Sequence, residues 1–403
     1  MYERTLYWDR IHPFIDKPVI KIITGMRRVG KSCILKMIIE KLREEHGSGQ
    51  RTVYIDKESL DYEVIKNHKE LYQHTKREFE HFQGKKYLFV DEIQEIENWE
   101  KAINSLFAEG GVDIFITGSN AHLLSSELAT LLSGRYIEFQ IFPLSFKEFI
   151  EFNAKRTQDQ GRLFQEYLKF GGLPAIHYLD LSEEVVYQYI SAIYNTILLK
   201  DVVKRNNVRN IRLLENLGRY VFDNVGNVFS AKKIADYLKS QRMKVGVETV
   251  QNYLGYLTAT YAANRVDRYD IKGKRLLELH EKYYLGDIGL RHALLGFREA
   301  DMAGVLENVV FLELKRRGYR VAIGKLGNRE IDFIAEQEGR KLYLQVAYLL
   351  HSPETIEREF SPLREIKDNY PKVVLSMDTI FGNDFEGIQR IHLVDFLLSD
   401  DFL

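Results

Sequence analysis

The chain has 403 residues, too many for one ordinary core, so roughly two to four domains are expected. Its 45% hydrophobic and 29% charged residues are those of a globular protein, and 57 basic against 58 acidic residues leave a net charge of −1, which excludes a global field drawing it to nucleic acid or anionic lipid. One cysteine, Cys33, excludes an internal disulfide framework; the opening MYERTLYWDR lacks the apolar core of a signal peptide, and no apolar run approaches the roughly 20 residues that span a bilayer, so a cytoplasmic address without a membrane partner is expected.

Five short apolar runs, at 19–24, 52–56, 86–91, 113–117 and 137–142, alternate with helix-length segments, which predicts a parallel sheet covered on both faces. The first run feeds into Gly25, Met26, Arg27, Arg28, Val29, Gly30, Lys31 and Ser32, and the apolar spacing of Ile34, Ile38 and Leu42 continues as a helix. This is GxxxxGK[ST] between strand and helix: its glycines let backbone N–H groups curl around phosphates, and the helix N-terminus adds partial positive charge. Lys31 is placed to reach the β- and γ-phosphates of ATP and the Ser32 hydroxyl to bind Mg²⁺. Arg27 and Arg28 read as phosphate contacts or as braces at the rim. Cys33 reads as a thiol of lowered pKa at a helix start or as a small residue packed under the loop.

The third run ends in Asp91 and Glu92, two carboxylates delivered at the carboxyl edge of the sheet, where ligands of open α/β sheets bind. Asp91 suits a magnesium role and Glu92 a base that activates water. The fourth run ends in Gly118, Ser119 and Asn120. A polar side chain at that strand tip lies beside the γ-phosphate, so Asn120 or Ser119 is a candidate sensor; capping a helix from residue 121 is the competing role.

This order of elements, with a strand at 52–56 between the two Walker motifs, resembles the AAA+ ATPases. The run Gly25 to Ser32, Leu132-Ser-Gly-Arg-Tyr136 and Phe142-Pro-Leu-Ser-Phe-Lys-Glu-Phe149 are similar to prokaryotic AAA-family ATPases with a poorly characterised C-terminal domain. The resemblance implies that Arg135, ahead of the fifth strand, reaches into a neighbouring subunit's ATP as an arginine finger, and hence a homo-oligomer; an ordinary ion pair is the alternative.

Helical spacing with an aromatic stripe over 146–205, broken at Gly171-Gly172-Leu173-Pro174, resembles the family's small helical lid. Within 206–285, helical segments at 211–222, 231–238 and 247–257 precede strands at 261–269 and 276–285, consistent with a winged helix. That reading sets 248–256 in a DNA major groove and Lys272, Lys274 and Arg275 against phosphate, although Thr249, Gln251 and Asn252 come with few cations and with Glu248. Over 286–403 the order α-β-β-β-α-β, with Glu307, then Glu330-Ile331-Asp332-Phe333, then Gln345-Val346-Ala347, resembles the restriction-endonuclease-like PD-(D/E)XK pattern. Gln345 and Ala347 occupy the positions of its Glu and Lys, so a domain that binds or couples without cutting is expected.

The fold class is therefore α/β: a P-loop AAA+ core at 1–145, a lid at 146–205, a winged helix at 206–285 and a restriction-endonuclease-like domain at 286–403. The functional reading is an ATPase using ATP and Mg²⁺ to move its C-terminal domains on nucleic acid. A regulatory switch docking a protein partner, or an active ATP-dependent nuclease, are the alternatives.

Overall fold

The computed structural model describes residues 2–121, 132, 134–243, 245–378 and 384–400. They form two compact units, Met1–Ile141 with Ala259–Tyr261, and Phe142–Thr258 with Ala262–Leu403.

In the first unit, α1 (Thr5–Ile11), β1 (Ile20–Thr24), α2 (Lys31–His46), β2 (Gln50–Asp56), α3 (His68–Glu78), β3 (Lys85–Asp91), α4 (Trp99–Glu109), β4 (Val112–Gly118) and β5 (Tyr136–Gln140) alternate as expected. Among the described residues the strands make one parallel sheet in the order β2-β3-β4-β1-β5. Burial of both faces explains the unbroken hydrophobic strands: Leu88, Val90, Ile114 and Ile116 pack with Leu71, Trp99 and Ile103, while Phe89 and Phe115 stack at 4.5 Å. Because all strands run the same way, the loop after β1 and the tips of β3 and β4 share one edge. The helix expected at 121–132 lies almost wholly outside the described residues.

The second unit opens with α5 (Phe146–Asn153), α6 (Gln160–Phe170) and α7 (Glu183–Thr196). Ser145 and Glu148 form a capping box on α5, and α7 runs on as a π-helix, Ile197–Lys204. There follow α8 (Ile211–Asp223), β6 (Val228–Phe229), α9 (Ala231–Ser240), α10 (Val247–Ala259), β7 (Ala263–Asp270), β8 (Arg275–Leu285) and α11 (Ile288–Leu295). The chain then gives α12 (Met302–Arg317), β9 (Arg320–Leu326), β10 (Arg329–Gln337), β11 (Arg340–Val346), α13 (Pro353–Arg364), β12 (Lys372–Ser376), β13 (Asp384–Phe385), β14 (Ile388–His392) and α14 (Leu393–Leu398).

The hairpin β7–β8, expected as a two-stranded wing, is part of a larger sheet. Among the described residues nine strands run in the order β13-β14-β12-β11-β10-β9-β7-β8-β6, with β7 parallel to β9 through Arg268↔Ile323, Tyr269↔Gly324 and Asp270↔Lys325. A lone two-stranded hairpin is marginal in water, and β9 covers the edge that β7 would otherwise expose. Val266, Tyr283, Tyr284 and Leu285 are buried in consequence.

At Gly171–Gly172 the break in helical pattern has a specific partner. The Asp287 carboxylate accepts the N–H of Gly172 at 2.7 Å and of Gly289 at 2.8 Å, capping α11. Gly171 has φ +76°, and a Cβ there would lie 2.2 Å from Asp287 Oδ1. Burial pushes Asp287 up to about 6 despite its backbone bonds. A carboxyl raised in the folded state stabilises fully below its unfolded pKa, and that contribution is lost as pH rises through the folded value. Urea unfolding is expected to show a loss of about 3 kcal/mol through this group between about pH 4 and pH 7. Asp287→Asn is expected to lack that part of the slope; parallel pH profiles for the two proteins would contradict the assignment.

Candidate functional site

The loop after β1 is held by backbone geometry that only glycine tolerates. Gly25 has φ +138°, a Cβ on it would lie 2.3 Å from the Ile141 carbonyl oxygen, and Ile141 N donates to Thr24 O at 2.8 Å. Met26 and Val29 are buried and anchor the loop inward, whereas Arg28 is exposed. Gly30 (φ +100°) turns the chain into α2, whose N-terminus has no side-chain cap. Lys31 is buried, and its Nζ donates to the carbonyls of Gly25 (3.2 Å) and Met26 (3.3 Å) and lies 3.7 Å from Glu92 Oε1. Arg27 is braced by Glu58 at 3.2 Å. Arg4, just ahead of α1, donates to Val29 O at 3.1 Å and lies over the Tyr7 ring. Cys33 is exposed, which corrects the reading that packs it under the loop: in the first turn of α2 it faces away from Ile34 and Leu35, which carry the burial.

At the tip of β3, Asp91 accepts hydrogen bonds from Thr117 Oγ1, from Tyr54 OH (3.1 Å) and from the Ser32 hydroxyl. Burial raises its pKa against those bonds. Glu92 adopts a left-handed backbone (φ +54°), a conformation costing about 1 kcal/mol in a non-glycine residue, and its N–H donates to Thr117 Oγ1 at 2.9 Å. Its carboxylate accepts from Gln94 and from Ser119 Oγ (3.2 Å). Burial pushes Glu92 up, but the Lys31 ammonium, the Gln94 bond, the Arg27 charge and the Ser119 bond outweigh it and hold the carboxyl below its ordinary value. Glu92 is thus a carboxylate aimed at Lys31.

The residues present fit ATP and Mg²⁺. A loop with no room for a Cβ at Gly25 leads to an uncapped helix start, and the Ser32 hydroxyl and Asp91 carboxylate lie in mutual contact, the hard oxygen donors that magnesium takes alongside substrate phosphates. Of the two candidate sensors, the structure brings Ser119 to Glu92, and Asn120 is buried directly after it. Arg135 is exposed and lies at the other edge of the sheet: Ile20 N donates to its carbonyl at 2.9 Å, and its guanidinium sits 5.8 Å from the Phe107 ring centre. The five residues of β1 separate it from Gly25, roughly 16 Å of strand. The structure does not bring Arg135 and the phosphate loop together. Thr117, Tyr54 and Arg4 escape the sequence reading because each reaches the site from a distant segment, and Gln94, two residues after Glu92, because it belongs to no local motif.

In the second unit Glu307, Glu330, Asp332 and Gln345 line a cavity of about 460 Å³. Ala347 is buried in the core instead of facing it. The cation that β11 lacks there is present nonetheless: Lys282 on β8 lies 2.8 Å from Glu307 Oε1 and 2.7 Å from Glu330 Oε1. Lys341, on the strand of Ala347, pairs instead with Glu336 at 2.7 Å.

An AAA domain model matches residues 17–150, and a domain of unknown function, DUF8612, matches residues 161–301. An uncharacterized protein of Haemophilus influenzae is 39% identical over 403 residues, 99% of each chain. An uncharacterized protein of Methanocaldococcus jannaschii is 33% identical over 397 residues, 93% of this chain and 85% of its own. Among solved structures, the Aeropyrum pernix ORC1 protein in complex with DNA aligns with 73% of this chain and 92% of its own, at 13% identity and a TM-score of 0.33. No helix among the described residues is long and apolar enough to cross a membrane.

Proposed function

This chain belongs to the AAA+ family of P-loop ATPases, and from that premise we propose that it is a magnesium-dependent ATPase whose nucleotide state moves its second unit on nucleic acid. The observation that carries the reading is the Lys31–Glu92 pair across the loop, with Ser32 already bonded to Asp91.

The backbone of Gly25 to Cys33 cradles the phosphates of ATP, which take over Lys31 from the carbonyls of Gly25 and Met26. Losing Lys31 frees Glu92, still oriented by Ser119 and Gln94, to accept a proton from the attacking water. Thr117 fixes Asp91 and the Glu92 backbone together, so the two carboxylates keep their spacing. Ser32 and Asp91 would hold Mg²⁺, which would supply positive charge to offset that of the phosphates. Asn120 senses the γ-phosphate beside Ser119, and Arg135 completes the site of a neighbouring copy, which makes a homo-oligomer part of the proposal.

For the nucleic-acid partner, support comes from α10 and the β7–β8 hairpin, read as a winged helix. Gln251 and Asn252 are exposed on α10, and Lys272, Lys274 and Lys367 line a cleft of about 710 Å³ with Tyr269 and Tyr370. Cations beside aromatic rings suit single-stranded nucleic acid, where bases stack and phosphates pair. ATP turnover is expected to rise with single-stranded DNA or RNA and to fall steeply with salt. Replacing Lys272 and Lys274 by Glu is expected to lower that stimulation and flatten the log–log salt slope by about 2. Turnover indifferent to every nucleic acid at low salt would sink the partner assignment and favour the protein-docking switch, which the net charge of −1 also suits.

A further inference from the structure

Alternation along β8 sets Lys282 and Tyr284 on one face of the strand. Both reach Glu307 Oε1 on α12, and Lys282 Nζ also meets Glu330 Oε1 of β10. Lys282 is 2% exposed, so this ammonium is fully engaged inside the fold. The second oxygen of Glu330 faces Arg268 at 3.8 Å. Asp332 is spent on the backbone: its Oδ2 accepts Val346 N at 2.8 Å, while Gln345 Oε1 accepts Asp332 N at 3.1 Å. These two bonds tie β10 to β11 beyond Phe333↔Leu344, where the β9–β10 register also shifts between Ile331 and Ile334.

The PD-(D/E)XK pattern implies a divalent cation among these carboxylates, and the residues present do not fit one. Mg²⁺ demands oxygens at about 2.0–2.1 Å in near-octahedral array, whereas an ammonium already occupies the space between Glu307 and Glu330. Gln345 contributes no charge, and among the described residues no group of three or more His, Cys, Asp or Glu is disposed to hold a metal ion. We infer that Lys282 is a built-in cation that replaces the metal: it closes the Glu307–Glu330–Asp332 nest to divalent ions and locks the hairpin, α12 and β10 together. The nest is a metal site plugged from within, and the second unit does not hydrolyse phosphodiesters.

This inference stands apart from the ATPase reading, and its test needs no nucleotide. Mn²⁺ binding is measured by calorimetry on the full chain carrying Asp91→Asn, which removes the metal candidate of the first unit. With Lys282 present no Mn²⁺ site is expected. Lys282→Met is expected to create one, at least about tenfold tighter than anything in its parent, with a Tm that rises when Mn²⁺ is added. If Lys282→Met does not fold, Lys282→Gln carries the same expectation, and Lys282→Arg is expected to keep the nest closed. Linear, supercoiled and single-stranded DNA are expected to stay uncut by the wild-type chain with Mg²⁺ or Mn²⁺. Stoichiometric Mn²⁺ binding by the Lys282 protein that disappears in Glu307→Gln, or a folded Lys282→Met with no gained site, would overturn the inference.

Discussion

Glu92→Gln is expected to keep ATP binding and to lose turnover by about 10²–10⁴-fold, the usual contribution of a positioned general base. Glutamine preserves the shape that Ser119 and Gln94 hold, yet it accepts no proton from water. Removing the carboxylate also removes the competitor that lies 3.7 Å from Lys31, so binding is expected to equal or exceed that of the wild type. Lys31→Ala acts on the opposite term. It deletes the loop ammonium expected to meet the phosphates and leaves Glu92 buried without its principal cation, adding repulsion to lost attraction. Affinity itself is expected to collapse. Titration with a fluorescent ATP analogue alongside phosphate release separates the two; an equal loss of affinity in both variants would refute the division of roles.

Arg135→Ala is expected to cut turnover by about 10³-fold or more while leaving nucleotide affinity near wild type, because an arginine finger acts on charge that develops in the transition state. Its position sets the geometry of the test. Exposed just ahead of β5, with β1 between it and the phosphate loop, Arg135 is expected to reach a site on another copy. Mixing Arg135→Ala with Glu92→Gln is therefore expected to restore part of the activity, since some interfaces then pair an intact Glu92 with an intact Arg135. A strictly monomeric Arg135→Ala protein with full turnover would contradict the role.

How much of this was legible in the sequence follows from how local each feature is. The phosphate loop reads directly because strand, glycines, lysine and helix are contiguous, and the β3 tip reads because Tyr87 to Val90 form an unbroken apolar run ending in two acids. The α-β-β-β-α-β order after Met302 was also visible from periodicity. Residues that arrive by pairing between distant segments were not: Tyr54 reaches Asp91 because β2 and β3 run side by side with Asp56 opposite Asp91, and Thr117 does so from the tip of β4. Lys282 is the sharpest case. A search for a replacement lysine along the strand of Ala347 finds Lys341 too far away, whereas the sheet brings in a strand from more than 60 residues earlier. The joining of β7 to β9, which links the segments read as 206–285 and 286–403, was likewise not legible, since β-pairing is set by edges needing partners and leaves little trace in local pattern. The short β13, β14 and α14 fell below what periodicity can resolve.

Phosphate release from ATP by the purified full chain, followed with Mg²⁺ present and then with the ion chelated, tests the central claim most directly. The Ser32, Asp91, Lys31 and Glu92 arrangement predicts release that requires Mg²⁺ and vanishes in Glu92→Gln. Release of equal rate in Glu92→Gln, or none from a wild-type chain saturated with Mg²⁺ and ATP in the presence of nucleic acid, would contradict it.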